Sequence, residues 1–129
     1  MGNVRIVIGM MGMDQHEVGA IAVSRILMEA GMEVIYLGIR QTTDDIIAAI
    51  EQEDADAIGL SMHNAGHLTL APALLAALEK AGLTTPVIIG GIIPDQDVAQ
   101  LTTDGVAAVL GPGAPAEEVV AAVRQAVNQ

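Results

Sequence analysis

Arg5-Ile6-Val7-Ile8-Gly9-Met10-Met11-Gly12-Met13-Asp14-Gln15-His16-Glu17-Val18-Gly19 decides the reading of this chain. Arg5-Ile6-Val7-Ile8 is a short β-branched run and predicts a buried strand of about Val4–Gly9. From Glu17 onward Ala20, Ile21, Val23, Ile26 and Leu27 recur at helical spacing, so a helix of about Glu17–Ala30 follows. Between them lies a glycine-containing, largely uncharged loop that ends in a carboxylate and an imidazole. In an open parallel sheet, ligands bind outside the carboxyl ends of the strands. Asp14 and His16 therefore stand where a ligand is expected.

Asp-x-His has a definite chemistry. A neutral imidazole binds a metal through one ring nitrogen. A carboxylate behind it accepts the N–H of the other nitrogen, which fixes the tautomer and raises ligand basicity. Gly19 leaves the first turn of the helix open to a bulky group. The plainer reading is also open: Asp14 as a helix N-cap and His16 as a first-turn surface residue.

The rest of the chain repeats the strand–helix alternation. Strands are expected at Glu33–Leu37, Ala57–Ser61, Pro86–Ile89 and Val106–Leu110. Helices are expected at about Thr43–Glu53, Leu68–Ala81, Asp95–Thr102 and Ala116–Ala126. Gly31 and Gly82 stand where C-caps belong, and Thr42 or Thr43 is a plausible N-cap. Such alternation predicts an α/β fold, a five-stranded parallel sheet with helices on both faces. Right-handed crossovers narrow the topology, and the flavodoxin-like (Rossmann-like) order 2-1-3-4-5 is expected. The loops at the carboxyl edge then include Ser61-Met62-His63-Asn64-Ala65-Gly66-His67, Gly90-Gly91-Ile92-Ile93-Pro94 and Gly111-Pro112-Gly113-Ala114. Glycine is ordinary turn chemistry. Several glycine-rich loops on one rim nevertheless imply a sizeable cleft.

Composition narrows the function classes. With 129 residues, 52% of them apolar, one domain spanning 1–129 and one substantial core are expected. No cysteine is present, which removes disulfides and thiolate ligands. No long charge-free apolar run reads as a membrane span, no signal peptide is evident, and a cytoplasmic location is expected. A net charge of −11, with five Lys plus Arg against 16 Asp plus Glu, argues against nucleic acid and against anionic membranes as partners. Tyr36 is the single aromatic, so the core must be built from Val, Ile, Leu, Ala and Met. Met10, Met11 and Met13 fall in the first loop on this reading, as a flexible apolar lining or as ordinary packing.

Asp14-x-His16-x-x-Gly19, then Ser61, then Gly90-Gly91, resembles the ordered motifs of cobalamin-binding domains: Asp-x-His-x-x-Gly, Ser-x-Leu and Gly-Gly. The stretches 65–74 and 90–97 further resemble the acyl-CoA mutase branch, typified by methylmalonyl-CoA mutase. The similarity covers nearly the whole chain. It implies adenosylcobalamin bound base-off, with His16 as the lower axial ligand of cobalt and Asp14 hydrogen-bonded behind it. It implies that the nucleotide tail enters a slot lined by Ser61, with room made by Gly19, Gly90 and Gly91. Gln15 and His63 lie within those motif stretches, and Gly111 and Gly113 match a glycine-containing stretch near the tail. No catalytic residue is implied. In the mutases the substrate sits in a TIM barrel, so the resemblance implies a separate barrel subunit or domain as partner.

Three positions depart from the family's pattern. His63 replaces the leucine of Ser-x-Leu. Met10 stands where many members carry a lysine four residues before the aspartate. Ala114 replaces the threonine of a Pro-Gly-Thr. Two rivals share parts of the pattern. One is a corrinoid protein of a methyltransferase system, which commonly has an extra helical domain first. The other is a corrin-free flavodoxin-like or receiver-like module, although a receiver needs an aspartate where Ser61 stands. A metal-only site at His16, His63 and His67 is a variant of the second.

Overall fold

The sheet order is set by which strands are apolar on both faces. A computed structural model describes residues 3–11, 17–62, 67–111 and 113–128, except for the side chains of residues 67 and 68. Five strands, β1 (Arg5–Met11), β2 (Glu33–Gln41), β3 (Ala57–Ser61), β4 (Val87–Gly90) and β5 (Ala108–Leu110), alternate with five helices. These are α1 (Glu17–Glu29), α2 (Thr43–Glu53), α3 (His67–Lys80), α4 (Asp95–Asp104) and α5 (Ala116–Val127). All pairings are parallel, in the order β2-β1-β3-β4-β5. The expected flavodoxin-like fold is thus the observed one. β1, β3 and β4 are central and nearly continuous in apolar residues, as strands covered on both faces must be.

Period-two alternation divides the core into two layers. On one face Met11, Ile58, Leu60, Val87 and Ile89 pack against Ile46 and Ile50 of α2, Leu74 and Leu78 of α3, and Leu101 of α4. On the other, Ile6, Ile8, Met10 and Ile88 face Ala20 and Leu27 of α1 and Val119 and Val123 of α5. The first layer is densely filled. Even Gly9 belongs to it, since a Cβ there would lie 3.2 Å from Gln41 Cγ.

Two expectations need correction. β1 runs on to Met11, so Met10 and Met11 are strand residues rather than loop. Both are fully buried, one in each layer, and are packing residues rather than a flexible lining. β2 extends to Gln41, four residues beyond its expected end. Its register against β1 shifts twice, between Ile8 and Gly9 and between Gly9 and Met11. The extra residues are accommodated by Gly38 at φ 93° and Arg40 at φ 59°. The Gln41 side-chain amide donates to the carbonyls of Leu37 and Ile39 and ties the irregularity together. Glycine and polar residues in a bulged strand read as loop in a sequence.

At the amino edge, the Arg5 guanidinium bonds Glu33 at 3.0 Å and the carbonyl of Glu53, joining β1, β2 and the end of α2. At the carboxyl edge α2 begins with a capping box. The Asp45 amide donates to Thr42 Oγ1 at 3.1 Å, and the Thr42 amide donates to the Asp45 carboxylate at 2.9 Å. That backbone hydrogen bond, reinforced by the threonine side chain, holds the Asp45 carboxyl below its ordinary 3.8. Its folded-state pKa being depressed, the carboxylate supports the fold above the unfolded value and loses that effect as pH falls through the folded one. Thr42→Ala should therefore cost about 1 kcal/mol in a urea denaturation. Asp45→Asn should flatten the loss of stability on acidification below the ordinary carboxylate range.

Candidate functional site

The register of the central strands hollows one face of the sheet. Met10, Ser61, Gly90 and Leu110 form a row across β1, β3, β4 and β5 nearest the carboxyl edge. Ile8, Gly59, Ile88 and Ala108 form the row beneath. Large side chains close the flanks of the upper row, and its middle holds only a hydroxymethyl group and a hydrogen atom. Directly below Ser61, Gly59 again contributes no side chain. α1 and α5 span this trough but do not fill it. The result is a slot of about 290 Å³ between the sheet and the two helices.

The slot reaches the carboxyl edge, where ligands bind in such sheets. Its walls are Ile6, Ile8, Val23, Ile26, Leu27, Val119 and Val123, with small residues at Ala20, Ala22 and Ala114. Among the described residues that line it, Ser61 carries the single polar side chain, and none is charged. Such a lining accepts a flat apolar group and offers it one side-chain hydroxyl for orientation. A Cβ on Gly19 would meet nothing within 4 Å, and one on Gly90 only the Leu110 carbonyl at 3.9 Å. Each glycine is a space that a side chain would occupy. Gly91 additionally has φ 137°, and its amide donates to the Leu110 carbonyl, so the chain leaves β4 while staying flush with the slot floor. Larger, more open hollows lie at the amino edge, around Leu78, Pro86 and Val106, and between the outer sides of α1 and α5. Neither is lined by the motif residues.

Gly19, Ser61, Gly90, Gly91, Gly111 and Gly113, singled out from the sequence, thus all line one slot. Asp14, Gln15, His16 and His63 lie outside the described residues, as does the side chain of His67. The histidine-only metal site falls outside them too. Gly59 was missed. Its signal was present in Ala57-Ile58-Gly59-Leu60-Ser61, where large residues take alternate positions and small ones fall on the other face. At the head of α1, which follows His16 directly, the Tyr36 hydroxyl donates to the Glu17 carboxylate at 3.2 Å. Partial burial and the Glu17 charge raise the Tyr36 phenol above its ordinary 10.0.

An uncharged slot bounded by glycines suits a flat, largely apolar group. Residues 4–121 match the B12 binding domain family. The chain belongs to that family. The pivalyl-CoA mutase small subunit of Xanthobacter autotrophicus is 39% identical over 120 residues, 92% of this chain and 80% of that one. The 2-hydroxyisobutanoyl-CoA mutase small subunit of Aquincola tertiaricarbonis is 33% identical over 96% of this chain and 92% of its own. The ethylmalonyl-CoA mutase of Cereibacter sphaeroides is 41% identical over 84% of this chain, which spans only 17% of that longer protein. A solved cobalamin-binding protein from Desulfitobacterium hafniense superposes with a TM-score of 0.79 at 26% identity, over 95% of this chain and 58% of that one. The signal receiver domain of NarL from Mycobacterium tuberculosis, at 24% identity and a TM-score of 0.75 over 98% of this chain and 97% of that one, shares the fold alone. Family membership counts against the corrin-free alternative.

The residues present fit a cobalamin: the slot has apolar walls, a hydroxyl and glycine-made room that would accept a nucleotide tail. Filling it should separate binding from folding. Gly19→Ala should stabilise α1 by up to about 1 kcal/mol, since glycine is a poor helix former. Gly90→Val should leave a folded protein. Both should weaken cobalamin binding in a visible-absorbance titration, the valine more strongly. Unimpaired binding by Gly90→Val would show that the tail does not enter this slot.

Proposed function

We propose that this chain carries adenosylcobalamin in the base-off form for an acyl-CoA mutase, as a small subunit or domain. The observation that supports the reading best is the slot itself. Its size lies just below the ~300–1,000 Å³ of ordinary small-molecule sites, enough for a nucleotide tail and too little for a corrin ring. A tail held there is a tail detached from cobalt, which leaves the lower axial position for a protein ligand. His16 takes that position, with Asp14 holding its other ring nitrogen and Gln15 between them. Ser61 hydrogen-bonds the tail, while Gly19, Gly59, Gly90 and Gly91 give it room and Gly111 and Gly113 flank its far end. His63 belongs to the same motif stretch as Ser61 and is assigned to cofactor binding with it.

Adenosylcobalamin supplies a weak cobalt–carbon bond whose homolysis initiates carbon-skeleton rearrangement. The residues of this chain bind and orient the cofactor and are not sufficient for turnover. The acyl-CoA is bound by a TIM-barrel subunit or domain that meets the carboxyl edge. The match to two mutase small subunits, over 92% and 80% of their lengths, supports the subunit form. The ionisable motif residues are Asp14 and His16, and a neutral imidazole backed by a carboxylate is the donor set that favours metal ligation.

The direct test is the visible spectrum of the protein mixed with adenosylcobalamin, run beside His16→Ala. A base-off, histidine-ligated spectrum should appear with the wild type and be lost in the variant. A tail-on spectrum for the wild type, or an unchanged spectrum for His16→Ala, would overturn the axial-ligand assignment.

A further inference from the structure

Arg40 combines two unusual properties. It is a non-glycine residue at φ 59°, a left-handed conformation that costs an ordinary side chain about 1–2 kcal/mol. Among the described residues it is also the single lysine or arginine at the carboxyl edge of the sheet. Arg5 begins β1, and Lys80 and Arg124 lie in the last turns of α3 and α5, all at the amino edge. Arg25 lies well down α1. The carboxyl rim is otherwise acidic, because the first turns of α1, α2, α4 and α5 carry carboxylates such as Glu17, Asp44, Asp95 and Glu117. Those acids have a local explanation in the helix dipoles. Arg40 has none. Its side chain is exposed, and among the described residues it has no hydrogen-bond or ion-pair partner.

The backbone around it is held firmly. The Gln41 amide bonds the two preceding bulge carbonyls, and the Thr42–Asp45 capping box follows at once. Gln41 pairs with Met11, the last described residue before the loop that contains Asp14 and His16. The backbone that carries Arg40 is thus fixed in a conformation glycine would adopt more easily, and the side chain projects from a rigid base. Strain retained in this way points to use of the side chain.

We infer that Arg40 is the docking anchor for a carboxylate on the barrel subunit, and that it sets the rotational register of that subunit over the rim. The inference rests on the subunit reading above. An incoming carboxylate is repelled by the acidic helix starts around the edge and attracted at one position only. One attractive site among repulsive ones fixes orientation more effectively than a uniform patch. The corrin periphery is a poorer occupant, because it is built of neutral amides, and the cofactor's phosphodiester belongs to the nucleotide tail, which the reading above assigns to the slot.

The test uses the full chain loaded with adenosylcobalamin and the isolated large subunits that pair with the two mutase small subunits named above. Arg40→Gly should raise the thermal midpoint by relieving the backbone, yet slow association. Arg40→Glu should slow it by about tenfold or more at low salt, with the difference closing as salt is added. Arg40→Lys, which keeps the charge, should retain most of the wild-type rate. The cobalamin spectrum should be the same in all of them. Wild-type association rates for Arg40→Glu, or a fall in thermal midpoint for Arg40→Gly, would overturn the inference. So would a changed cobalamin spectrum, which would move the contact to the cofactor. Failure of the wild type to associate with either large subunit would overturn the subunit reading and this inference with it, while an intact histidine-ligated spectrum would keep the cofactor reading standing.

Discussion

Everything at the carboxyl edge depends on β3 and β4 being held in one register. Ser61 and Gly90 are paired neighbours, and Gly59 lies directly below them on the same face. Slip either strand by one residue and isoleucine or leucine would enter the trough, because successive residues point to opposite faces. The register is fixed from the other side of the sheet. There Ile58, Leu60, Val87 and Ile89 lock into α2, α3 and α4, all fully buried. One face of the sheet thus carries the packing that allows the other to stay hollow.

This division has an energetic consequence. Fully burying a large aliphatic side chain contributes about 1.5–3 kcal/mol, and the slot forgoes that at Gly59, Ser61 and Gly90. The deficit is of the size of a small domain's stability margin. A ligand that fills the trough returns part of what was forgone.

The layers were legible in the sequence and the edges were not. β-branched runs and helical periodicity located every element, and α2 and β3 fell at their expected residues, Thr43–Glu53 and Ala57–Ser61. Strand ends were missed where backbone geometry departs from the regular pattern. β2 continues through Gly38 and Arg40, whose left-handed conformations leave no periodic trace. Met10 and Met11 looked like loop because methionine has no strong strand preference, yet strand register against Ser61 and Gln41 buries both. The slot residues that carry a motif were legible as a set. Gly59 carries none, and its role follows only from which face it shares with Ser61 and Gly90.

The absence of Trp and Phe leaves Tyr36 as the single strongly absorbing side chain in the near ultraviolet. Its hydroxyl is tied to Glu17 at the first residue of α1. A carboxylate bonded to a phenol quenches its emission, so the protein carries one native optical probe. That probe reports on the joint between the edge strand and the helix that bounds the slot. Opening of that joint brightens the protein without any label.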